Sequence, residues 1–371
     1  MRLFLIAGEP SGDRLGAALM AGLRQLVPQV AFHGVGGPLM QAQGLESLFP
    51  MEELSIFGIA EVLPKYFHLK RRIRQTAEAA LAFQPAAVIS IDSPDFCLRV
   101  AAIVKAARPD LRTIHYVAPS VWAWRPGRAA KMARVIDHVL ALLPFEPPYM
   151  TAAGMSCDFV GHPVVTEALA TPEETALMAG EGPLILTLPG SRKGEVTRLA
   201  PVIGQVLAQV KAAHPKARVA LPTVRGVAEL VRDLSADWPI APQIIEGPAL
   251  KRAAFAAADV AIAASGTVSL ELAANACPMV IAYDMHPISL WLMRRAARID
   301  TVTLVNLVSE TRAVPEFIGE RCRADLIAPE VLRLLSDGGA QEQAMRITME
   351  RLGAGGEPPG LRAAKSVLSV L

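Results

Sequence analysis

Short apolar runs that end in glycine turns and lead into amphipathic segments recur along this chain. One run covers 184–188 and ends at the Pro-Gly-Ser turn of 189–191, after which apolar residues recur at helical spacing over 196–210. The chain begins in the same way, with an apolar run at 3–7 before a Gly-rich turn. The leucines of the segment after that turn share one helical face: Leu15, Leu19, Leu23 and Leu26. Each pattern predicts a buried parallel strand, a tight turn and a helix.

The alternation of strand and helix patterns predicts an α/β fold with two doubly wound, Rossmann-like parallel sheets. We expect an N-terminal domain at 1–166, an acidic, Ala-rich linker at 167–182, a C-terminal domain at 183–352 and a tail helix at 353–371 that docks back. A strand is also expected at 301–306. Ligands of open parallel sheets bind beyond the carboxyl ends of the strands, so we expect the two sheets to face a central cleft.

The turn at 189–191 has the properties of an anion-binding site. The first amides of the next helix lack backbone partners, the helix dipole is positive there, and Gly190 lets backbone approach a ligand closely. Arg192 and Lys193 follow, and an arginine can hold a phosphate through two parallel hydrogen bonds. An ordinary strand–helix turn with a solvated basic pair is the competing interpretation.

A second glycine turn, Ala-Ser-Gly-Thr at 264–267, follows another apolar run in the C-terminal half. Glu271 lies one turn into the helix that should come next. An acidic residue at that place usually complements the helix dipole. Beside an anion site it could also hold sugar hydroxyls.

In the N-terminal half, Asp92 directly follows a buried-strand pattern. Active-site groups of parallel α/β proteins collect at the carboxyl ends of strands, which makes Asp92 a catalytic candidate. Asp92 or Asp95 could instead cap the next helix. After the following predicted strand, Trp124 stands with Trp122 and Arg125 in a segment that we expect to line a ligand site.

Composition narrows the function classes. A net charge of +2 gives no case for a nucleic-acid partner, and the four cysteines are too scattered for a zinc site or a redox pair. The chain lacks a P-loop, a dinucleotide fingerprint after its first strand and an Asp-X-Asp motif, which disfavours kinases, dehydrogenases and metal-dependent chemistry. No metal and no cofactor are expected. The apolar runs are too short for a signal peptide or a membrane span, which predicts a cytoplasmic protein.

A basic amphipathic helix is predicted within 54–83, with Ile73 and Ala77 on its apolar stripe. Its other side is basic: Lys65, Lys70, Arg71, Arg72 and Arg74. Such a helix can lie on an anionic bilayer. A second group of residues is expected to assist: Trp291, Arg294, Arg295 and Arg298. The competing interpretation is a helix that packs on the core and exposes a solvated cationic side.

Nearly the whole chain resembles the lipid-A-disaccharide synthase family. The motifs that carry the resemblance are GEPSGD (8–13), GVGGPLM (34–40), MEELSIFGIAEVL (51–63), IDSPDF (91–96), IHYVAPSVWAWR (114–125), LPFE (143–146), FVGHP (159–163), LPGSR (188–192), ASGTVSLE (264–271), PMVIAYDM (278–285) and LVNLV (304–308). This family consists of metal-independent glycosyltransferases of the GT-B type, which have two Rossmann-like domains.

The resemblance implies a reaction. In it, 2,3-diacylglucosamine passes with inversion from UDP-2,3-diacylglucosamine to 2,3-diacylglucosamine 1-phosphate, giving the β(1→6) disaccharide 1-phosphate and UDP. The reaction belongs to lipid A (lipopolysaccharide) biosynthesis at the cytoplasmic face of the inner membrane of Gram-negative bacteria. Peripheral association with anionic lipid follows as an expectation, and a homodimer is left open.

The resemblance also implies roles for individual residues. The C-terminal half is expected to hold UDP through Gly190, Ser191, Arg192, Ser265, Gly266, Thr267, Glu271 and Asn306. Arg192 would neutralise charge on the departing UDP, and Asp92 would take the proton of the acceptor 6-hydroxyl, with His115 and His162 as alternative bases. The other substrate candidates are Glu9, Ser11, Gly12, Asp13 and Trp124.

Two other functions remain compatible with the residues. A UDP-sugar epimerase or hydrolase of GT-B fold would turn over the nucleotide sugar without an acceptor. A two-domain binding protein would close on the nucleotide sugar without catalysing a reaction. Replacing Asp92 would then leave the affinity for the nucleotide sugar unchanged, and there would be no turnover to lose.

Overall fold

The computed structural model describes residues 1–54 and 59–371, with the side chains of 59–66, 288 and 294 outside that description. The chain divides into two units. The N-terminal unit combines Met1–Thr166 with Gly355–Leu371, and the C-terminal unit is Glu167–Ala354.

The described part of the N-terminal unit contains one parallel sheet of seven strands. These are β1 (Arg2–Ala7), β2 (Ala31–Val35), β3 (Glu46–Ser47), β4 (Ala87–Ile91), β5 (Arg112–Tyr116), β6 (His138–Ala141) and β7 (Ser156–Phe159). Their spatial order is β3-β2-β1-β4-β5-β6-β7. The direction of winding reverses between β1 and β4, where Leu5 lies opposite Ile89. In open sheets of this kind, ligands bind beside that reversal, at the carboxyl ends of the strands.

The helices of this unit connect the strands. They are α1 (Pro10–Leu26), α2 (Pro38–Ala42), α3 (Ile59–Phe83), α4 (Pro94–Ala107), α5 (Gly127–Met132) and α6 (Pro147–Thr151). Two short 3₁₀ turns cover Met51–Glu53 and Pro163–Thr166. The predicted stripe of α1 is buried at Leu15, Leu19 and Leu23, whereas Leu26 is exposed at the end of the helix.

The described part of the C-terminal unit contains a second parallel sheet, of six strands. These are β8 (Leu184–Leu188), β9 (Arg218–Pro222), β10 (Pro242–Ile245), β11 (Val260–Ala263), β12 (Met279–Tyr283) and β13 (Glu316–Ile318), in the spatial order β10-β9-β8-β11-β12-β13. The helices are α7 (Pro172–Ala176), α8 (Lys193–Ala213), α9 (Ala228–Ser235), α10 (Pro248–Ala257), α11 (Val268–Ala274), α12 (Pro287–Ala296), α13 (Leu304–Ser309), α14 (Ala324–Ser336) and α15 (Gly339–Leu352). A 3₁₀ turn covers Gly319–Arg321.

Burial explains why the apolar runs form strands. All five residues of β8 are buried, as a parallel strand covered on both faces requires. The apolar positions of α8 lie in the same core cluster as Ile185: Val196, Leu199, Ile203, Val206, Leu207 and Val210. The pattern that predicts strand, turn and helix here is thus the pattern of core contacts.

The strand predicted at 301–306 is wrong. Residues 301–303 form no element, and α13 begins at Leu304. The Glu316 carboxylate accepts hydrogen bonds from the Thr301 hydroxyl (2.5 Å) and from the amides of Val302 (2.9 Å) and Thr303 (2.7 Å). Because a side chain takes these backbone donors, the β-branched run cannot add a ladder to the sheet, and β13 supplies its edge.

The segment 167–182, expected to link the halves, carries α7 and groups with the C-terminal unit. The Thr171 hydroxyl accepts from the amide of Glu174, and the Glu174 carboxylate accepts from the amide of Thr171. This reciprocal cap starts α7. Glu174 also pairs with Arg252 of α10, which fixes the short helix to the unit.

The end of the chain forms helix α16 (Pro359–Ser369), which packs on α1. Its Ser366 hydroxyl lies 2.8 Å from Nε2 of the buried His138 and donates to the Asp158 carboxylate at 2.6 Å. Arg362 donates to the carbonyl of Phe159 at 2.8 Å. These polar contacts secure α16 beside β6 and β7 of the N-terminal unit.

Candidate functional site

A cavity of about 410 Å³ opens at the carboxyl edge of the C-terminal sheet, where β8, β9 and β11 end. It is lined by Leu188, Gly190, Ser191, Arg192, Glu195, Pro222, Thr223, Val224, Lys251, Phe255, Ala264, Ser265, Gly266, Thr267, Val268 and Glu271. The structure therefore brings together seven of the residues predicted at the UDP site: Gly190, Ser191, Arg192, Ser265, Gly266, Thr267 and Glu271.

The turn after β8 has the geometry of an anion site. Gly190 adopts φ = 115°, and a Cβ atom there would lie 2.6 Å from the Glu195 carboxylate, so only glycine fits. Arg192 is the N-cap residue of α8, whose 21 residues direct the positive end of the helix dipole towards the turn. The Arg192 side chain is 77% exposed, which leaves its guanidinium accessible to a ligand.

Glu195 is a residue of this cavity that our sequence analysis missed. Its carboxylate accepts from the Ser191 amide at 3.2 Å and pairs with the Arg192 guanidinium at 3.1 Å. It thus holds Arg192 beside the turn while competing with any anion for the same donors. Its place three residues after Arg192, in the first turn of a helix, is the sequence signal that could have identified it.

Lys251 of α10 is a second missed residue. Its ammonium group lies 2.5 Å from the Glu271 carboxylate and 5.1 Å from the ring centroid of Phe255. Glu271 therefore has a cationic partner within the cavity, besides its position in the first turn of α11. The pairing joins 251 to 271 through the fold, so neither local pattern nor spacing reveals it.

Asp92 lies at the carboxyl end of β4 in the N-terminal unit, next to the reversal of strand order. It has φ = 54°, a left-handed conformation that Asp tolerates better than most residues. Oδ1 accepts from the Ser93 amide at 2.9 Å, and Oδ2 accepts from the Ser11 hydroxyl at 3.2 Å. Asp92 is half-buried and its carboxylate is held in place, as a general base requires.

The turn after β1, the strand that pairs with β4, has a largely structural role. The buried Asp13 carboxylate accepts from the amides of Gly37 (3.0 Å), Leu39 (3.0 Å) and Met40 (2.9 Å), so it caps α2. Gly12 is buried where a Cβ atom would lie 3.2 Å from the Ile91 carbonyl. Asp13 and Gly12 thus have structural roles in this turn, and their contact with substrate stays a prediction.

Two other candidates of this turn stay nearer the surface. Glu9 is the half-buried N-cap residue of α1, and Ser11 is exposed and bonded to Asp92. Ser11 therefore contacts the proposed base.

Both alternative bases are poorly suited to the task. Burial lowers the pKa of His115 to about 4, and its Nδ1 lies 2.7 Å from the Ser90 hydroxyl inside the sheet. Burial also lowers the pKa of His162 to about 4, and its Nδ1 accepts from the Val164 amide. His115 is buried with its Nδ1 bonded inside the sheet, and Nδ1 of His162 is taken by a backbone amide, whereas the Asp92 carboxylate is half-buried at a strand end and is therefore the better-placed candidate.

The segment after β5 holds Trp124 at the surface, with 42% of the side chain exposed. Its neighbour Trp122 is buried, donates from the indole nitrogen to Glu146 at 3.2 Å and packs edge-on against Phe145 at 5.1 Å. Glu146 also accepts from the amide of Leu143 at 3.0 Å. Burial raises the pKa of Glu146 to about 7 despite these hydrogen bonds, which favour its charged form.

Asn306 is not among the residues that line the cavity described above, and its place at the UDP site stays a prediction. It is buried, and its side-chain amide donates to the Val314 carbonyl (2.8 Å) and the Thr301 hydroxyl (3.2 Å). The side-chain carbonyl of Asn306 accepts a hydrogen bond from the Val314 amide at 3.0 Å. These bonds satisfy Asn306 within the protein, so its role in the structure is to close the loop between α13 and β13.

The two surfaces predicted to meet a membrane differ from each other. On α3, Lys70, Arg71 and Arg74 are exposed, whereas Arg72 pairs with Glu53 at 2.7 Å. On α12, Trp291 and Leu292 are exposed, as is Arg295, which stacks on Trp291. Arg298 is exposed just beyond α12, while the predicted side chains of Lys65 and Arg294 lie outside the described residues. No helix in the described part of the chain is both long and apolar enough to cross a membrane.

The cysteines and acidic groups that the structure describes form no additional centre. Among the residues that the structure describes, no three His, Cys, Asp or Glu side chains come together as a metal site would require. Burial raises the pKa of the Cys157 thiol to about 12 and that of Cys322 to about 11, so neither thiol is primed as a nucleophile.

Solved structures of known proteins show the fold class. UDP-GlcNAc 2-epimerase from Neisseria meningitidis, solved bound to UDP-GlcNAc, matches with a TM-score of 0.69 at 12% identity, covering 100% of this chain and 99% of that one. MurG from Acinetobacter baumannii matches with a TM-score of 0.62 at 13% identity, covering 100% and 99%. These neighbours confirm the predicted α/β fold of GT-B type.

Sequence comparison shows the family. A family model described as lipid-A-disaccharide synthetase matches residues 3–359. Lipid-A-disaccharide synthase of Ruegeria pomeroyi is 62% identical over 384 residues, covering 100% of this chain and 96% of the relative. That of Rhodospirillum centenum is 49% identical, covering 100% and 94%. The chain therefore belongs to the lipid-A-disaccharide synthase family of glycosyltransferases.

Proposed function

We propose that this protein transfers 2,3-diacylglucosamine from UDP-2,3-diacylglucosamine to the 6-hydroxyl of 2,3-diacylglucosamine 1-phosphate. The products are the β(1→6)-linked disaccharide 1-phosphate, a precursor of lipid A, and UDP. The observation that carries the proposal is 62% identity over the entire chain to a lipid-A-disaccharide synthase.

The donor binds at the cavity of the C-terminal unit. The Gly190 turn and the start of α8 offer backbone amides and a helix dipole to the diphosphate, and Arg192 adds a full positive charge. Ser265 and Thr267 stand on the second turn of the same cavity. Glu271 remains the candidate for the ribose hydroxyls, with Lys251 holding its carboxylate in place.

The chemical step exchanges one bond for another. As the bond between the anomeric carbon and the UDP oxygen breaks, the acceptor oxygen bonds to that carbon from the opposite face, and its proton passes to Asp92. Negative charge accumulates on the departing diphosphate, where Arg192 stabilises it. Asp92 suits the base role because two hydrogen bonds fix its carboxylate at a strand end without ion pairing in the described residues.

A UDP-sugar epimerase is the alternative within this fold, since several structural neighbours bear that name. Their 12–13% identity supports a shared fold, not a shared reaction. The full-length match to lipid-A-disaccharide synthases favours transfer to an acceptor.

The experiment that tests the proposal supplies the purified protein with UDP-2,3-diacylglucosamine, alone and then with the acceptor, in neutral detergent micelles. We expect UDP release to depend on the acceptor and a disaccharide phosphate to appear. UDP release or epimerisation at the same rate without acceptor would support the alternative, and binding without turnover would support a binding protein.

Peripheral association with the cytoplasmic face of the inner membrane is part of the proposal. Exposed cations of α3 and the exposed Trp291 and Leu292 of α12 support it. Each basic group near an anionic membrane surface contributes about 1 kcal/mol to the free energy of binding, and salt screens this attraction. Flotation with anionic vesicles should therefore weaken as salt rises.

A matched pair of variants tests which surface is responsible. Replacing Lys70, Arg71 and Arg74 together by Gln should reduce flotation, whereas Arg346→Gln, an exposed cation of α15, should leave it unchanged. Absence of wild-type flotation at low salt would refute the membrane proposal, and flotation insensitive to salt would indicate apolar insertion.

A further inference from the structure

A second cavity, of about 540 Å³, lies wholly within the N-terminal unit. The start of α4, the segment after β5 and α5 enclose it, so it opens at the carboxyl edge of the sheet that also carries Asp92. Pro94 lines the cavity and is only two residues beyond Asp92. The cavity and the proposed base are therefore neighbours on one sheet edge.

The charges that line this cavity are unbalanced. Arg125, Arg128 and Lys131 contribute three positive charges, and Asp95 contributes one negative charge, which leaves an excess of two positive charges. Within the described part of the chain, none of these three cations forms an ion pair with a carboxylate. Asp95 lies in the first turn of α4, where an acidic side chain complements the helix dipole.

The segment after β5 that carries Arg125 and Arg128 is held in place by contacts of Trp122 and Trp124. The buried Trp122 donates to Glu146, and on the outer side Trp124 stacks under two guanidinium groups, Arg125 at 4.1 Å and Arg128 at 5.6 Å. Arg125 adopts φ = 50°, a left-handed conformation that costs energy in a non-glycine residue. Such strain at an unpaired cation beside a cavity is typical of a ligand site.

From this arrangement we infer that the cavity binds the phosphate monoester of the acceptor sugar, through Arg125, Arg128 and Lys131. The inference rests on the proposed function, which requires an acceptor that carries a hydroxyl to be deprotonated and a phosphate on the same ring. With the hydroxyl at Asp92, the phosphate must be bound nearby on the acceptor side. A dianionic phosphate matches an excess of two positive charges, and arginine forks grip phosphate oxygens in pairs.

Phosphate in a membrane phospholipid has the same chemistry, and the experiment separates the two sources. Turnover is measured in neutral detergent micelles with the acceptor 1-phosphate and with the same diacylglucosamine lacking the phosphate. The variants are Arg128→Ala, Arg125→Ala, Lys131→Ala and the conservative Arg128→Lys. Arg134→Ala is the matched control, because Arg134 is an exposed cation just beyond α5 that does not line the cavity.

We expect Arg128→Ala to raise the KM of the phosphorylated acceptor by about 10- to 100-fold, the loss typical of a charge-assisted hydrogen bond. The KM of the UDP-sugar and turnover of the unphosphorylated acceptor should change less than about 2-fold on the same scale. Arg128→Lys should recover part of the loss, and Arg134→Ala should behave as wild type.

Equal losses with both acceptors would overturn the inference, because a merely structural residue would affect both. An equal rise in the KM of the phosphorylated acceptor in Arg134→Ala would also overturn the inference, because the effect would then come from the positive charge of the surface and not from the cavity. Unchanged kinetics together with lost flotation on anionic vesicles would assign the cations to membrane phosphates instead. Failure of the proposed function itself is distinct, because wild-type protein would then release no acceptor-dependent UDP.

Discussion

At the carboxyl end of β8, the Gly190 turn leaves Ser191 and Arg192 exposed at the start of a long helix. At the carboxyl end of β1, the corresponding turn is closed over, with Gly8 and Gly12 buried. At the Gly190 turn, the Glu195 carboxylate accepts hydrogen bonds from one amide and from the exposed guanidinium of Arg192. In the other turn, Asp13 bonds three amides of a neighbouring helix.

One sequence pattern, an apolar run followed by a glycine turn and a helix, therefore supports two kinds of strand end. Where the turn stays open, helix dipole and arginine are available to a ligand. Where the turn is closely packed and its Asp13 carboxylate accepts from a neighbouring helix, the turn serves the fold, and we propose that the chemistry takes place at the adjacent strand end, at Asp92.

The largest expected effect is that of Asp92→Asn. Asparagine is nearly isosteric and tolerates the left-handed backbone at this position, so the fold should persist. Without a proton acceptor, kcat should fall by roughly 100- to 10,000-fold. Steady-state turnover with both substrates measures the loss. Near-normal turnover would show that the N-terminal edge holds another base.

Arg192→Ala should follow, with a loss of roughly 100-fold in kcat, because one preorganised charge on the leaving diphosphate is removed. Lys193→Ala is the matched control, since Lys193 is the next residue and does not line the cavity. The control should retain turnover within a few-fold. Similar losses in both variants would mean that general positive charge, not Arg192, serves the open turn.

Two substitutions that remove a carboxylate compare the buried turn after β1 with the exposed Gly190 turn. Asp13→Ala leaves three amides without their partner and should lower the free energy of unfolding by about 3 kcal/mol. Glu195→Ala removes contacts at an exposed turn and should cost less than about 1 kcal/mol. Urea denaturation measures both. The reverse order of stabilities would contradict the contrast between the two edges.

The last effect on stability concerns pH and the buried Glu146. Its pKa is raised from 4.5 to about 7, so below pH 4.5 the carboxyl is protonated in both the folded and the unfolded chain. Between these values the unfolded chain loses the proton and the folded chain keeps it. Stability should therefore fall with rising pH across this window, by up to about 3 kcal/mol. Glu146→Gln should remove that component in denaturation series, and an unchanged pH dependence would exclude Glu146 as its source.

Much of the fold follows from the sequence because buried parallel strands leave continuous apolar runs, such as that of β8. The exception at 301–306 arises because Glu316, ten or more residues away, takes the backbone donors of a strand-like run. Local propensity contains no information about such a partner.

The site is predictable to the same extent. The Gly190 turn and Asp92 are marked by strand ends, which local pattern reveals. Lys251 beside Glu271 and Glu146 beneath Trp122 are contacts between distant segments, so only the folded chain identifies them. Asn306 adds a contact of this kind, because its side chain bonds the backbone of Val314 across a loop.

The central claim is that the open turn of the C-terminal unit holds the donor diphosphate while Asp92 acts on the acceptor. Calorimetric titration of UDP into wild-type protein, Arg192→Ala and Asp92→Asn tests it most directly. We predict that Arg192→Ala weakens UDP binding by about 10-fold or more, the value of a charge-assisted hydrogen bond, and that Asp92→Asn binds UDP as wild type does. Unchanged affinity in Arg192→Ala together with weakened affinity in Asp92→Asn would contradict the account.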